Sequence, residues 1–387
     1  REPKKILLGR LESLGPVFEG DPRISLTHGE TQMVLLELER EGSILRTRLE
    51  GNTAWCERRL LARIHRYTID ALRREIEPVS ATDFLRFLAC WQHVDEDHRL
   101  EGPRGMSEVL TQLAGFEAPV WAWESSILPR RLRDYRREWL DELTLSGEFV
   151  WGRLWGGGAS AIRVTPIGLI RREEMDTWLN LTKSPIIEEL SGPARDLLDV
   201  LSARGAMFPQ ELQKCAKLPA GYAEQGLADL VAHGLVTCDS FAALRQMITP
   251  PSRRKRPVKS VGRWSMFRSN VQPETANEFL AKQMLQRTGV VFRKILEREK
   301  LPIGWAALAR VYRGMELRGE VRGGRFIAGF SGEQFALPEA VELLRKVRRS
   351  DPRVSLSVAS ADPLNFQGIL TPAERIACTT RRSVLVG

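Results

Sequence analysis

Arginine is the residue type in this chain whose abundance and placement most suggest chemistry. There are 58 basic residues against 49 acidic ones, 47 of the basic residues are Arg, and the net charge is +9 with a pI of about 9.6. The guanidinium is a planar donor fork that matches phosphate and carboxylate oxygens. The balance therefore points to a polyanionic partner and says nothing of fold. The arginines are bunched. One group is Arg130, Arg131, Arg133, Arg136 and Arg137. A second is Arg310, Arg313, Arg318, Arg322 and Arg325. A third is the run Arg253, Arg254, Lys255, Arg256, Lys259 and Arg263, interleaved with Trp264 and Phe267, whose rings could stack on bases. Arg59, Arg63, Arg66 and Arg73 recur at helical spacing as a secondary basic face.

Other chemistry is sparse. No GxxxxGK[ST] phosphate loop occurs, so no ATP site of that type is expected. Asp95-Glu96-Asp97-His98 has the letters of an ATPase acidic box, but no apolar strand precedes it, and it reads as an acidic loop. His93, Asp95, Asp97 and His98 are adjacent in one loop, which rarely closes a ligand shell, so no metal site is expected. The five cysteines form no CxxC pair, which argues against a disulfide framework or a zinc module and for a reducing, cytoplasmic setting. No apolar run approaches membrane-spanning length, and the chain lacks an initiator Met, so it reads as a piece of a longer protein.

The elements that must position the arginines follow from a repeat. An apolar residue, another three later, Gly four beyond that and an apolar residue two further on occur four times. The copies are Leu35, Leu38, Gly42, Ile44; Leu140, Leu143, Gly147, Phe149; Leu227, Leu230, Gly234, Val236; and Tyr312, Met315, Gly319, Val321. The first two positions make a helix stripe, the Gly ends the helix in a left-handed conformation, and the last begins a strand. Two helices precede this pattern in the third and fourth copies. Helix, helix, helix, hairpin is the winged-helix order.

The chain is thus expected to be α+β and mainly helical: tandem winged-helix modules with a short β-rich C-terminal segment. Module one covers 1–54, a connecting basic helix 55–80, module two with a long wing 81–184, module three 185–250, a basic linker 251–272, module four 273–349, and the β-rich segment 350–387. The helix after residue 54 places Leu60, Leu61, Ile64, Thr68 and Leu72 opposite its arginines. The third helices of modules one and three are acidic (Glu30, Glu37, Glu39 and Glu41; Glu224 and Asp229), which suits packing rather than phosphate. Modules two and four are the expected nucleic-acid contacts.

Four stretches carry a family resemblance: Cys56-Glu57-Arg58-Arg59-Leu60-Leu61-Ala62-Arg63-Ile64-His65-Arg66-Tyr67; Ile76-Glu77-Pro78-Val79-Ser80 with Arg86-Phe87-Leu88 and Trp91-Gln92-His93; Gly323-Gly324-Arg325-Phe326 with Gly332-Glu333-Gln334-Phe335-Ala336-Leu337-Pro338; and Asp362-Pro363-Leu364-Asn365 with Gly368-Ile369-Leu370-Thr371-Pro372. Together they resemble the C-terminal half of the long-form large helicase-related (Lhr) proteins, superfamily 2 ATP-dependent helicases. The resemblance implies a non-motor region that binds DNA or an RNA:DNA hybrid, assembles a homo-oligomer and serves DNA repair. It also implies an N-terminal 3′–5′ helicase core in the same protein, which would hold the ATP and Mg, leaving this chain without a cofactor. The alternative is a DNA glycosylase for uracil or a damaged base, built on the winged-helix scaffold, so whether the chain is an enzyme stays open. The acid such chemistry needs would be Asp362 or Glu333. The Gln-x-Gln or Gln-x-Asp motif of winged-helix glycosylases does not occur here.

Overall fold

The computed structural model describes the chain except for residues 1, 19, 27, 50, 159, 183–186, 250–261, 268–275, 351–355, 381 and 387. It forms two compact bodies, residues 1–77 and 78–387. Both are mainly helical with small sheets, as expected of winged-helix modules.

The first body is module one. It runs α1 (Glu2–Leu14), β1 (Val17–Phe18), a 3-10 turn (Pro22–Ile24), α2 (His28–Arg40), β2 (Ile44–Leu49), β3 (Asn52–Glu57) and α3 (Arg58–Arg74). Leu7, Leu11, Ile24, Leu35, Leu38, Ile44 and Trp55 form its core. The boundary expected at residue 54 falls inside β3. Strand bonding to β1 on one side and β2 on the other holds that stretch extended. The helix begins only where the Glu57 carboxylate caps it, accepting from the Arg59 and Leu60 amides at 2.9 and 2.7 Å. The expected apolar stripe of α3 has no buried residue.

The second body holds the rest. Module two comprises α4 (Ala81–Trp91), α5 (Gly102–Gln112), β4 (Ala118–Pro119), α6 (Val120–Ala122), a π turn (Trp123–Ile127), α7 (Leu128–Arg131), α8 (Arg137–Leu145), β5 (Phe149–Gly152), β6 (Pro166–Arg171) and α9 (Met175–Asn180). Module three comprises α10 (Gly192–Arg204), α11 (Pro209–Cys215), α12 (Ala220–Ala232), β7 (Val236–Cys238), α13 (Phe241–Ile248) and β8 (Trp264–Met266). Module four comprises α14 (Asn277–Thr288), β9 (Val290–Phe292), a 3-10 helix (Arg293–Arg298), α15 (Trp305–Leu317), β10 (Arg322–Gly324), β11 (Gln334–Ala336) and α16 (Pro338–Arg349). The tail is a hairpin of β12 (Leu356–Ala359) and β13 (Ser383–Val386).

The four modules share one sheet plan. The strand after the repeat Gly pairs with a returning strand, which also pairs with a short strand lying before the third helix. The orders are β1-β3-β2, β4-β6-β5 and β9-β11-β10. In module three Met207 takes the first position, pairing with Trp264 of β8. The segment 251–272 is therefore not simply a linker: Trp264–Met266 is the returning strand of module three. The return of module four is likewise Gln334–Ala336 rather than Phe326–Ala328. Those residues bond instead to Val79, whose amide donates to the Phe326 carbonyl while its own carbonyl accepts from the Ala328 amide.

The repeat residues do what their types dictate. All twelve apolar positions are buried, and Gly42, Gly147, Gly234 and Gly319 have φ of 70°, 79°, 68° and 78°. That left-handed region costs an L side chain roughly 1–2 kcal/mol. In modules one, three and four the next residue's amide bonds back to the Leu38, Leu230 or Met315 carbonyl, closing a Schellman cap.

Modules two and three share one core, in which Trp151 and Trp264 meet edge to face at 5.9 Å. Phe267 lies against Gly152, where a Cβ would come within 2.4 Å of its ring.

Candidate nucleic-acid interface

The third helix of a winged-helix module is the element that enters a nucleic-acid groove, so the four third helices (α2, α8, α12 and α15) decide which module can act. In α15 the buried side is Leu308, Ala309, Tyr312 and Met315. The Tyr312 hydroxyl donates to the Ala281 carbonyl of α14 at 2.9 Å, and its ring meets Phe335 of β11 at 5.2 Å. This fixes the rotation of α15 and turns Ala306, Arg310, Arg313 and Leu317 to solvent. The wing beside it carries exposed Arg322 and Arg325. Glu316, the acid of α15, is turned to the wing, where it accepts from the Gly323 amide at 3.0 Å.

Not all of these cations are available. Arg313 forms a two-pronged bond with Glu333, with its Nε at 3.1 and 3.2 Å from the two carboxylate oxygens, and this raises its pKa. Arg318 is paired with Glu320 and with Glu278. Arg310, Arg322 and Arg325 are exposed and have no ion-pair partner among the described residues.

The wing is shaped by a residue that sequence alone gives little reason to notice. Gln334 is fully buried. Its Oε1 accepts from the Phe326 and Ile327 amides at 2.8 Å each, and its Nε2 donates to the Ile327 carbonyl at 3.0 Å. Those bonds replace the strand ladder across the bend. Its sequence signal is faint: a polar residue in the alternation Gln334-Phe335-Ala336, where all three positions prove buried.

Module two differs. Arg130, Arg133, Arg136 and Arg137 are exposed, and Arg133 is paired with Glu101 at 3.2 Å. The body of α8 carries Glu138, Asp141 and Glu142, and α13 of module three lies across it. Arg245 of α13 grips Glu124 at 2.7 Å and Asp141 at 3.1 Å. Burial works against the Arg245 charge, but the two carboxylates outweigh it and raise its pKa. The Phe241 amide donates to the Thr144 hydroxyl of α8 at 3.3 Å.

Several expected sites are corrected by burial. Arg131 is wholly buried, and its Nη1 and Nη2 donate to the two carboxylate oxygens of Asp362 at 2.8 and 2.9 Å. Arg131 also donates to the Ile127 carbonyl and to Gln92. It is an internal anchor for the tail and meets no phosphate. Asp362 is also fully buried, and it accepts the Leu364 amide at 2.9 Å, so its oxygens are already occupied and cannot activate a water. Glu333 is committed to Arg313. Trp264 is 2% exposed and Phe267 fully buried, so neither can stack on a base. Arg263 pairs with Asp239 at 3.2 Å. Arg253, Arg254, Lys255, Arg256 and Lys259 lie outside the described residues.

In the first body, Arg59, Arg63 and Arg66 of the secondary basic face are exposed and Arg73 is half-buried. In the acidic loop, the structure brings His98 to Asp95 at 2.7 Å and both to Cys90, with one ligand atom of each inside 4.8 Å. His93 instead meets the His98 carbonyl through Nδ1.

Two family models described as "Large helicase-related protein, winged-helix domain" match the chain. The one for the third such domain matches residues 79–170, and the one for the fourth matches 270–356. They fall on modules two and four. The chain belongs to the large helicase-related family, in its C-terminal winged-helix portion. It is 31% identical over 375 residues to a Mycolicibacterium smegmatis protein described as "Lhr helicase/ probable uracil glycosylase", covering 87% of this chain and 24% of that one. It is 27% identical over 399 residues to an Escherichia coli K12 protein described as "Lhr helicase/uracil glycosylase", covering 87% of this chain and 25% of that one. This Lhr chain thus spans about a quarter of the length of the curated relatives it matches. Among its described residues no helix is long and apolar enough to cross a membrane.

Proposed function

We propose that this Lhr chain grips duplex nucleic acid for a helicase motor, with α15 in the groove and the module-four wing on the flanking backbone. The observation that carries this reading is the bare face of α15 and its wing: Arg310, Arg322 and Arg325 are exposed with no ion-pair partner among the described residues, while Glu316 is turned away. Phosphate contacts of this kind make affinity fall steeply with salt. The DNA or RNA:DNA partner, the role in DNA repair near the nucleoid, and the N-terminal core with its ATP and Mg belong to the same proposal. Titration of the full chain with a short duplex across a salt series tests it. Binding that is absent at low salt, or indifferent to salt, ends it.

Self-association is part of the reading. Met33 and Leu36 on α2, and Leu45 and Leu49 on β2, are exposed apolar side chains on module one, beside acids that disfavour phosphate. Light scattering at micromolar concentration tests this, and a strict monomer removes it.

Uracil excision is a second reading, favoured by the names of both relatives. With Asp362 and Glu333 both engaged, it requires another acid. Uracil-containing DNA left intact under alkali after incubation with the chain excludes it.

A further inference from the structure

Beyond the α15 face, the second body holds an open cleft of about 400 Å³ between the π turn leading into α7 and the β12–β13 hairpin. Three arginines line it (Arg99, Arg130 and Arg382), and among the described residues no carboxylate does. Arg130 and Arg382 are exposed and have no ion-pair partner among the described residues. Arg99 is held only loosely, 3.9 Å from Glu96, and its Nε is buried with no hydrogen-bond partner.

Hydroxyls complete the lining. Ala359 pairs with Ser383 across the hairpin, and Ser357 lies two residues before Ala359, so both serines stand on one face of the ribbon. Neither hydroxyl has a hydrogen-bond partner among the described residues. The other two, on Ser125 and Ser126, are spent on the Trp121 and Ala122 carbonyls. Half-buried Trp121 supplies an apolar wall. Three guanidinium forks and free hydroxyl donors, with no carboxylate among the described lining residues, are the chemistry of a phosphate site, and the volume suits a nucleotide-sized group.

We propose that this cleft seats a phosphate group, as a site separate from the α15 face. The group can arrive on a nucleic-acid strand or as a free phosphate. The site stands independently of duplex binding at α15, since no residue of module four lines the cleft.

The test uses the full chain and the double variant Arg130→Ala/Arg382→Ala, both surface residues, with circular dichroism to confirm the fold. The probes are fluorescein-labelled (dT)10 by anisotropy and inorganic phosphate by calorimetry. The expected result is about a tenfold loss of (dT)10 affinity and a salt slope shallower by about 1.4, two single-strand phosphate contacts. Loss confined to (dT)10 identifies a strand as the source. Matching loss for inorganic phosphate identifies the free ion. The proposal is overturned if the double variant binds both probes as the parent does, or if the parent binds neither.

Discussion

Modules two and four are built on the same plan and end their third helices on the same left-handed glycine, yet they present opposite surfaces. Around α8, the arginines sit at the entrance, acids occupy the helix, and α13 lies across it with Arg245 bound to Asp141. Around α15, the helix is uncovered and its outward side chains are Ala306, Arg310, Arg313 and Leu317. Counting arginines ranks module two at least equal to module four. Their placement reverses that: Arg131 is spent on Asp362 and Arg133 on Glu101, and although Arg130, Arg136 and Arg137 stay exposed, the helix behind them is acidic and lies under α13. The same backbone plan serves as a packing surface in one module and an open face in the other.

This contrast between the modules is most vulnerable at the buried Arg131–Asp362 pair. Asp362→Ala strands the Arg131 guanidinium, so it should cost roughly 3–5 kcal/mol of stability, read as a lower urea midpoint. Unchanged stability would return Arg131 to the pool of binding arginines and restore the claim of module two.

Next comes a paired charge reversal. Arg310→Glu/Arg322→Glu should weaken duplex binding more than about tenfold and flatten the salt slope by about 1.8, two phosphate contacts on a duplex. Arg136→Glu/Arg137→Glu should change affinity less than about threefold on the same basis. Equal losses for the two pairs would erase the difference between the modules.

The shared plan can be tested through its glycines. Gly319→Ala meets open space and should cost roughly 1–2 kcal/mol, the left-handed penalty alone. Gly234→Ala should cost more, since its Cβ would lie 2.5 Å from the Arg153 carbonyl oxygen, where modules two and three touch. Thermal or urea unfolding reads both, and equal costs would show that this close approach can relax.

The mildest change concerns the α15 side. Glu333→Gln should release Arg313 and tighten duplex binding by about twofold, while removing an exposed pair worth only about 0.2–1 kcal/mol of stability. A weaker complex would mean that Glu333 positions Arg313 rather than masking it.

The Leu-x-x-Leu spacing and its glycine were legible because they are local: helical period and left-handed φ are properties of a few consecutive residues. The α+β class and the tandem array followed from them. The extent of each module was not legible, because the returning strand of module three lies beyond α13 and the start of α3 depends on pairing across β3. Asp362 looked like a reactive acid in a turn because its partner, Arg131, is 231 positions away.

What this sequence determines by itself is therefore the repeated helix end, the family and the surplus of arginine. Only the tertiary structure decides where that surplus goes. Arg131 is buried against the tail, Arg313 is held by the wing, Arg310 is left to solvent, and Arg99, Arg130 and Arg382 line one cleft. Charge is a property of composition, but the free energy of a charge depends on burial and on the nearest opposite charge, and both are set by contacts between residues far apart in the chain.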